Sequence, residues 1–204
     1  MDLTTFALEA VADFRTVGAV APSSRYLTQA MLRPLPLERA QVVVEVGPGT
    51  GVMTNALLDL IPLDATLLAF EINPRFARYL TLNISDPRLV VINASAETLQ
   101  KEIHRRGYER VEAVVSSLAL GLMTDRRRRT FLGGLSNLLG ETGVFTQYQY
   151  FHRLQMKNRQ IRKFHLARLL QGYFRSVQQR IIWRNLPPAF VFTCRNCRPK
   201  LNSG

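Results

Sequence analysis

The sequence predicts an α/β fold in which helices cover both faces of a largely parallel sheet. Three observations predict it. Short apolar runs alternate with longer amphipathic segments between residues 42 and 150, as in parallel strands joined by crossover helices. The run Val42–Val46 leads into Gly47 and two further glycines at alternate positions, so a buried strand breaks sharply into a helix. The next apolar run ends in an acidic residue, Glu71, about 20 residues further on.

Five strands are expected in this region, and four helices connect them. The strands span 42–46, 66–71, 89–92, 111–116 and 144–150, and the helices span 52–60, 74–82, 96–105 and 125–139. Two further strands, 176–183 and 189–194, have the pattern of a closing hairpin with its turn at 184–188. An opening helix over 3–14 and an Arg/Lys-rich helix over 154–170 complete the prediction.

Length and composition limit the architecture. With 204 residues and 47% hydrophobic content, we expect a single domain over residues 1–204 with one core. No apolar run reaches the roughly 18 residues of a spanning helix. Asp2, Glu9 and Asp13 do not fit a cleaved secretory signal, so a cytoplasmic protein is expected. Cys194 and Cys197 form a lone C-x-x-C pair, which favours free thiols and no metal.

The two parts of the chain differ sharply in charge. Residues 1–125 hold 11 Lys and Arg against 14 Asp and Glu, a net of −3. Residues 126–204 hold 16 against one, a net of +15. A solvated surface would carry both signs, so this asymmetry indicates an anionic partner for the second part. Nucleic acid, anionic lipid and a phosphorylated substrate all satisfy it.

The turn after the first strand has the chemistry of a ligand-binding loop. Glycines let the backbone approach a ligand closely, and the helix that follows points free N–H groups at it. The spacing G-P-G-T-G differs from the dinucleotide pattern and resembles motif I of the class I S-adenosylmethionine-dependent methyltransferases. The resemblance implies S-adenosylmethionine as cofactor, S-adenosylhomocysteine as product, and Glu71 as the acceptor of both ribose hydroxyls. The cofactor-binding residues it implies are Glu45, Gly47, Pro48, Gly49, Thr50, Gly51, Thr54, Glu71, Ile72, Ala94, Ser95, Ala96 and Ser116.

Nearly the whole chain resembles the bacterial phosphatidylethanolamine N-methyltransferases. The segments that carry the resemblance are 17–25 (V-G-A-V-A-P-S-S-R), 45–51, 115–118, 147–150 and 184–189 (R-N-L-P-P-A). It implies a Rossmann-like seven-stranded sheet whose last strand is antiparallel, with an amphipathic N-terminal helix in a segment, 1–35, that covers the active site and contacts the membrane. The implied activity methylates phosphatidylethanolamine towards phosphatidylcholine. Ser95 and Ala119 stand where that family commonly has a carboxylate and a proline.

Aromatic side chains are the candidates for holding the acceptor amine. Methyl transfer to an amine is an in-line displacement, during which positive charge develops on the nitrogen, and ring faces attract ammonium groups. Tyr148 and Tyr150 come at the end of the fifth strand, and Tyr26 follows the segment that the resemblance places over the site. We expect these three as catalytic residues. Core packing is the alternative for each of them.

The substrate phosphate needs a cationic partner. Arg184 and Arg25 are the candidates, with Asn185 beside the first, because the planar guanidinium matches phosphate oxygens. The run 126–129, four arginines, opens a helix, and we favour a solvated surface for it over an anion site. The partners expected are a phospholipid and an anionic membrane surface, on the inner face of the cytoplasmic membrane. Nucleic acid is not expected, and the protein is expected to be a monomer.

Two segments are candidates for contact with the membrane. An apolar stripe over residues 3–14 has the spacing of one helix face, which core packing also explains. The basic segment 154–170 is the better candidate. Three other functions stay open: an rRNA adenine N6-dimethyltransferase-like enzyme, a soluble small-molecule methyltransferase, and a non-catalytic adaptor. Residues 116–120, S-S-L-A-L, lack the N/D-x-P-Y/F motif usual in the adenine enzymes.

Overall fold

The five strands formed by residues 42–150 run parallel. The computed structural model describes residues 24–150, 155–157, 160–162 and 165–198, so the expected opening helix over 3–14 lies outside the described residues. In chain order the strands of the main sheet are β1 (Val42–Val46), β2 (Thr66–Phe70), β3 (Leu89–Ile92), β4 (Ala113–Ser116), β5 (Val144–Tyr150), β8 (Phe174–Ile182) and β9 (Ala189–Cys197). A separate pair consists of β6 (Gln155–Lys157) and β7 (Gln160–Arg162).

The seven strands lie in the order β3-β2-β1-β4-β5-β9-β8. Strands β1 to β5 pair in parallel, and β9 is antiparallel to both of its neighbours, β5 and β8. This confirms the predicted α/β fold with an antiparallel last strand. Since strand order reverses beside β1, the loops at the carboxyl ends of β1 and β4 flank the place where ligands bind in such sheets.

Helices connect the strands and cover the sheet. They are α1 (Arg25–Leu32), α2 (Val52–Leu58), α3 (Pro74–Asn83), α4 (Leu99–Arg105), α5 (Asp125–Leu139) and α6 (Leu166–Gln171), with single 3₁₀ turns at Leu37–Arg39, Ala96–Thr98 and Leu120–Leu122. Three of these helices begin at a side-chain cap: Ser24, Asn73 and Thr124 accept backbone N–H groups from the first turns of α1, α3 and α5. None of the described helices is long and apolar enough to span a membrane.

The two faces of the sheet carry separate apolar clusters. One contains Phe131 of α5, Phe145 of β5 and Phe174 of β8, with the last two rings stacked at 5.8 Å. The other contains Leu27 of α1 and Leu57 of α2. Because side chains alternate along a strand, neighbouring residues of one strand belong to different clusters. Tyr148 and Tyr150 therefore lie on the α1 side of the sheet, opposite Phe145.

The prediction of one helix over 154–170 is wrong. β6 pairs antiparallel with β7, Met156 opposite Ile161, and the helix α6 begins only at Leu166. The triplets Q-M-K and Q-I-R alternate polar and apolar residues, which is the period of a strand. The smaller differences are at boundaries: a 3₁₀ turn opens the helix expected over 96–105, and both hairpin strands are longer than expected.

Cys194 and Cys197 lie in β9 as free, buried thiols. Burial raises the pKa of the Cys197 thiol to about 11, and it raises that of Cys194 further. Both are therefore protonated and unreactive near neutral pH. Within the described ranges, no group of three or more His, Cys, Asp or Glu side chains has an arrangement that holds a metal ion.

Candidate functional site

The expected cofactor residues meet at the carboxyl edge of the sheet. Val46 pairs with both Phe70 and Ser116, and Phe70 pairs with Ile92, so β1, β2, β3 and β4 all end at the same level. Glu45 and Ser116 lie in β1 and β4, Thr54 lies in α2, and the other residues of the expected cofactor set follow the ends of β1, β2 and β3. Parallel pairing alone brings these segments together.

The loop after β1 has an unusual backbone. Gly47, Gly49 and Gly51 have φ angles of 77°, 58° and 83°, in the left-handed region that residues with a Cβ rarely adopt. A Cβ at Gly51 would lie 2.8 Å from Leu80 Cδ2 and 2.9 Å from Ile84 Cδ1. Glycine is thus required there by both conformation and space, and the loop lies flat against α3. Pro48 and Thr50 complete the loop, the first buried and the second half-buried.

Glu71 joins this loop to the end of β2. One carboxylate oxygen accepts the Gly49 N–H at 3.1 Å and the other accepts the Asn73 N–H at 2.8 Å. Burial raises the pKa of this carboxyl, while the backbone hydrogen bonds oppose the rise. A carboxylate offers about four acceptor positions, so Glu71 keeps the capacity to accept from a diol such as the ribose hydroxyls. The arrangement fits the role expected of Glu71.

Glu45 lies beneath the loop and is fully buried. One of its oxygens accepts the Thr54 hydroxyl at 2.7 Å, and among the described residues the other has no partner. Burial raises the pKa of Glu45 to about 8, and the nearby Glu71 adds to the rise. A buried carboxyl with one unpartnered oxygen is suited to a ligand that carries positive charge, because ionisation would then be compensated.

The loops after β2 and β3 supply the remaining edge of this site. Ile72 is 60% exposed beside Glu71, and Ala94 is half-buried. Ser95 caps the turn that begins with the buried Ala96, and its hydroxyl donates to Glu97 at 3.2 Å. Glu97 also pairs with Arg127 at 2.5 Å. A carboxylate therefore lies next to Ser95, two residues further along the chain.

Two polar residues at this edge were not among the expected site residues. Asn93 donates its side-chain amide to the carbonyls of Glu71 and Ile72, at 2.7 and 3.2 Å, and so ties the end of β3 to that of β2. Gln147 is fully buried in β5 and donates to the Leu118 carbonyl at 2.9 Å, which fixes the loop after β4. The available signal was a polar side chain directly after β3 for Asn93 and a polar side chain within a strand for Gln147.

The loop after β4 is also held from within. The Ser116 hydroxyl is buried and accepts the Leu118 N–H at 3.2 Å. The Leu118 side chain reaches to 3.4 Å from where a Cβ of Gly47 would be. The loop thereby packs directly against the glycine loop, with an aliphatic side chain at the contact.

Two of the expected catalytic tyrosines form a pair at the end of β5. The rings of Tyr148 and Tyr150 meet edge to face with centroids 5.2 Å apart. Tyr148 is half-buried, whereas Tyr150 is 5% exposed. Tyr26, the third, is half-buried at the start of α1 and packs against the same apolar cluster as both. The structure therefore brings the three tyrosines to one side of the sheet, and Tyr148 is the more accessible of the β5 pair.

Two arginines converge on Tyr26. The Arg25 guanidinium donates to the Tyr26 hydroxyl at 2.8 Å and lies 4.9 Å from the ring centroid, and that of Arg184 lies 5.5 Å from the same centroid. The hydrogen bond from Arg25 lowers the pKa of Tyr26, and both positive charges act in the same direction. Within the described part of the chain, neither guanidinium has a carboxylate within ion-pair distance. Two guanidiniums beside one ring have the chemistry to hold an anion.

Asn185 has a different environment from the two arginines. It is 3% exposed, and its side-chain oxygen accepts from the Ser24 hydroxyl at 2.6 Å and the Ser24 N–H at 3.3 Å. Its side-chain nitrogen donates to the Pro187 carbonyl at 2.6 Å. Asn185 therefore fixes the β8–β9 turn against the start of α1 and so places Arg184 over Tyr26.

Two of the four arginines at 126–129 contact other groups of the protein. Arg127 pairs with Glu97, and Arg128 contacts Asp125 and donates to the Leu120 carbonyl at 3.0 Å. Arg126 and Arg129 are exposed. These contacts agree with the solvated surface favoured for this run.

Comparison with known proteins agrees with this geometry. A family model described as ribosomal RNA adenine dimethylase matches residues 23–114. An ornithine lipid N-methyltransferase of Singulisphaera acidiphila is 28% identical over 190 residues, which are 89% of this chain and 90% of that protein. The 1,6-didemethyltoxoflavin N1-methyltransferase of Burkholderia thailandensis, crystallised with S-adenosylhomocysteine, superposes with a TM-score of 0.68 at 21% identity, covering 96% of this chain and 88% of that one. A methyltransferase of Aquifex aeolicus superposes with a TM-score of 0.61 at 11% identity, covering 90% and 96%.

The chain has the class I S-adenosylmethionine-dependent methyltransferase fold. The predicted fold is thereby confirmed, and the likenesses support S-adenosylmethionine as the cofactor. The family model covers β1 to β3 with the glycine loop and Glu71, and it ends inside β4. It therefore does not include the loop after β4, the tyrosines of β5 or the β8–β9 turn. The lipid methyltransferase of Singulisphaera acidiphila aligns over a longer part of the chain.

Proposed function

We propose that this methyltransferase-fold protein methylates the primary amine of a membrane lipid head group, with phosphatidylethanolamine as the first acceptor to test. The observation that carries the proposal is the pair Arg25 and Arg184 on Tyr26, which forms an anion site beside aromatic side chains at the carboxyl edge. A zwitterionic head group needs this combination, because its anion must be held while its amine approaches the cofactor.

The residues present fit the cofactor. S-adenosylmethionine, when bound, supplies a methyl group activated on a positively charged sulfur. Glu71 would accept the ribose hydroxyls, the glycine loop would lie against the cofactor without a Cβ in between, and Glu45 would offer its unpartnered oxygen to positive charge. The exposed Ile72 side chain would cover one face of the adenine.

Aromatic and arginine side chains would bind the acceptor lipid. Tyr148 and Tyr150 would surround the amine, and their ring faces would stabilise the positive charge that develops on nitrogen by ~0.5–2 kcal/mol each. Tyr26 would close over the acceptor, and Arg25 and Arg184 would hold the head-group anion. A strong general base is not required if the amine arrives deprotonated or releases its proton to water.

The identity of the anion separates two lipid acceptors. Phosphatidylethanolamine presents a phosphate, whereas an ornithine head group presents a carboxylate, and the fork of a guanidinium matches either. The relative named for ornithine lipid supports lipid methylation in general, because its likeness extends over 89% of this chain. Both acceptors therefore belong in the test.

RNA adenine methylation is the second candidate, since the matched family model is described by that activity. The model ends before the loop after β4, where residues 116–120 lack the motif that stacks on an extruded base. In this chain the Leu118 side chain takes up the space beside Gly47. The residues around the proposed acceptor site therefore favour a lipid amine over an RNA adenine as the methyl acceptor.

The remaining expectations complete the proposal. We propose that residues 1–204 form one domain and that the protein acts as a monomer at the inner face of the cytoplasmic membrane. The segment 1–35 would then cover the acceptor. Asn185 would serve the anion site through its hold on the turn.

The test is methyl transfer from radiolabelled S-adenosylmethionine to three separate acceptors. These are vesicles with phosphatidylethanolamine, vesicles with ornithine lipid, and total RNA, with the Glu71→Ala variant as the inactive control. Label in either lipid supports the proposal, and its distribution identifies the head group. Label in RNA alone contradicts it, and so does label in none of the three while S-adenosylmethionine binds.

A further inference from the structure

The β8–β9 turn exposes large apolar side chains at the edge where the site opens. Leu186 is 88% exposed and Trp183 is 68% exposed. Tyr150 pairs with Ala189 and Ile182 pairs with the same residue, so the turn between Ile182 and Ala189 lies level with the end of β5. The exposed pair therefore faces outward from the same edge as the tyrosines.

The turn is held rigidly at its base. Ile182 and Ala189 are buried, and the side chain of Asn185 is anchored to Ser24 and to the Pro187 carbonyl. Trp183 and Leu186 are thus presented by a fixed frame, on either side of a buried residue. Two large apolar side chains this exposed on one turn are typical of a surface that meets an apolar partner.

Positive charge surrounds the turn. Arg180 is exposed on β8, and Arg184 and Arg25 lie on Tyr26. The sequence has no Asp or Glu after Glu141. Arginines around an exposed Trp and Leu match the interface of an anionic bilayer, where apolar side chains insert and cations meet lipid phosphates.

We propose that residues 183–186, here named the docking turn, insert Trp183 and Leu186 into the surface of an anionic membrane. The insertion brings the carboxyl edge, with Tyr148 and the anion site, against the lipid head groups. The proposal rests on the proposed function for its purpose, although docking itself is measured without methyl transfer. RNA is the less favoured partner, since Leu186 has no role on a phosphate backbone, even though a tryptophan stacks on bases.

Trp183 is the only tryptophan of the chain, so the intrinsic tryptophan fluorescence of the protein reports the environment of this one residue. Its fluorescence is measured during titration with vesicles of phosphatidylcholine alone and with vesicles containing phosphatidylglycerol. We expect a blue shift, and quenching by lipids brominated near the head group, only with the anionic vesicles and less at high salt. An unchanged spectrum while the protein co-sediments with vesicles would overturn the proposal. A shift with total RNA and none with anionic vesicles would also overturn it.

A matched pair of variants tests the contribution of the docking turn. The double variant Trp183→Ala/Leu186→Ala should bind anionic vesicles about tenfold or more weakly, since two inserted side chains are lost. The control Leu63→Ala removes a side chain that is 91% exposed in the α2–β2 connection, at the opposite edge of the sheet, and should bind within about twofold of the wild type. Equal vesicle affinities for the double variant and the control contradict the proposal. Far-ultraviolet circular dichroism confirms that both variants fold.

Activity separates this inference from the proposed function. If the double variant methylates lipid dispersed in neutral detergent micelles like the wild type but methylates anionic vesicles at least tenfold more slowly, both hold. If Trp183 inserts and no lipid is methylated, the docking turn stands and the proposed function fails. If lipid is methylated and the double variant is as active as the wild type on vesicles, the docking turn is wrong and the function stands.

Discussion

The Ser24 hydroxyl donates a 2.6 Å hydrogen bond to the side-chain oxygen of Asn185, 161 residues further along the chain. The same hydroxyl accepts the Leu27 N–H at 3.3 Å as the cap of α1. One side chain thus begins a helix and fixes the turn that carries Arg184. The proposed anion site depends on this contact, because Arg25 follows Ser24 directly.

Asn185→Ala should lower the free energy of unfolding by about 1–3 kcal/mol, since Ser24 and the Pro187 carbonyl, both half-buried, lose their hydrogen-bond partner. It should also raise KM for the lipid more than it lowers kcat, because Arg184 is no longer held over Tyr26. Urea denaturation and steady-state kinetics measure these effects. Asn137→Ala, which alters an exposed amide on α5, is the control. A purely catalytic effect with unchanged stability would contradict the assigned role.

Gly51→Ala should destabilise the protein more than Gly107→Ala. Both glycines have nearly the same left-handed φ, 83° and 85°, so both variants lose about 1–2 kcal/mol to backbone strain. A Cβ at Gly107 meets nothing within 4 Å, whereas at Gly51 it collides with Leu80 and Ile84. Urea midpoints give the difference, and calorimetry should show weaker S-adenosylmethionine binding for Gly51→Ala alone. Equal midpoints would mean that α3 moves aside without cost.

Glu71→Ala should weaken S-adenosylmethionine binding at least tenfold. Two charge-assisted hydrogen bonds to the ribose are lost, at about 1.5–3 kcal/mol each, and the Gly49 N–H also loses its acceptor. Isothermal titration calorimetry measures the affinity, with Glu141→Ala as the control for loss of an exposed acid. Unchanged binding would remove Glu71 from the cofactor site.

Glu45 should make the stability of the ligand-free protein depend on pH. Its pKa is about 8 in the folded protein and has the ordinary value of 4.5 when unfolded, so between these values the folded state holds a proton that the unfolded state has released. The free energy of unfolding should therefore fall as the pH rises from 4.5 to about 8, by up to about 1.4 kcal/mol per unit.

Glu45→Gln cannot ionise and should lose this part of the slope while keeping an acceptor for Thr54. Urea denaturation at several pH values across the window compares the two proteins. Parallel profiles for wild type and variant would show that Glu45 does not carry the effect.

Tyr148→Phe and Tyr148→Ala should separate the ring of this residue from its hydroxyl. If the hydroxyl orients the amine, both variants lose most of kcat with normal cofactor binding; if the ring alone acts, the phenylalanine variant keeps most of it. Tyr108→Phe, whose hydroxyl bonds Thr66 far from the acceptor, is the control. Full activity of Tyr148→Ala would place Tyr148 in the core and move the acceptor site elsewhere.

The fold was largely predictable because local signals agree with it. Strands such as Val42–Val46 are β-branched and buried, and their ends align by parallel pairing, so Glu45, Gly47 and Glu71 meet wherever such a sheet forms. The prediction of a helix over 155–162 was wrong because the spacing of its apolar residues fits both the helical period and the two-residue period of a strand.

Contacts between segments that are distant along the chain could not be predicted from the sequence. No local pattern predicts the hydrogen bond between Ser24 and Asn185 or the one between Gln147 and the Leu118 carbonyl. Each joins segments that only the assembled sheet brings together. The exposure of Trp183 was not predictable either, because the sequence of a turn does not show whether an apolar residue in it is buried.

The position of β9 inside the sheet has a consequence for synthesis of the protein. β9 is hydrogen-bonded on both sides, and its Phe192 and Val191 belong to the two opposite apolar clusters. A nascent chain that has emerged only as far as residue 188 therefore presents β5 as an open edge and lacks part of both cores. The ribosome has to release Ala189–Cys197 before β5 gains its antiparallel partner, so a chain that ends before Ala189 leaves β5 as an unpaired edge to which other chains can pair.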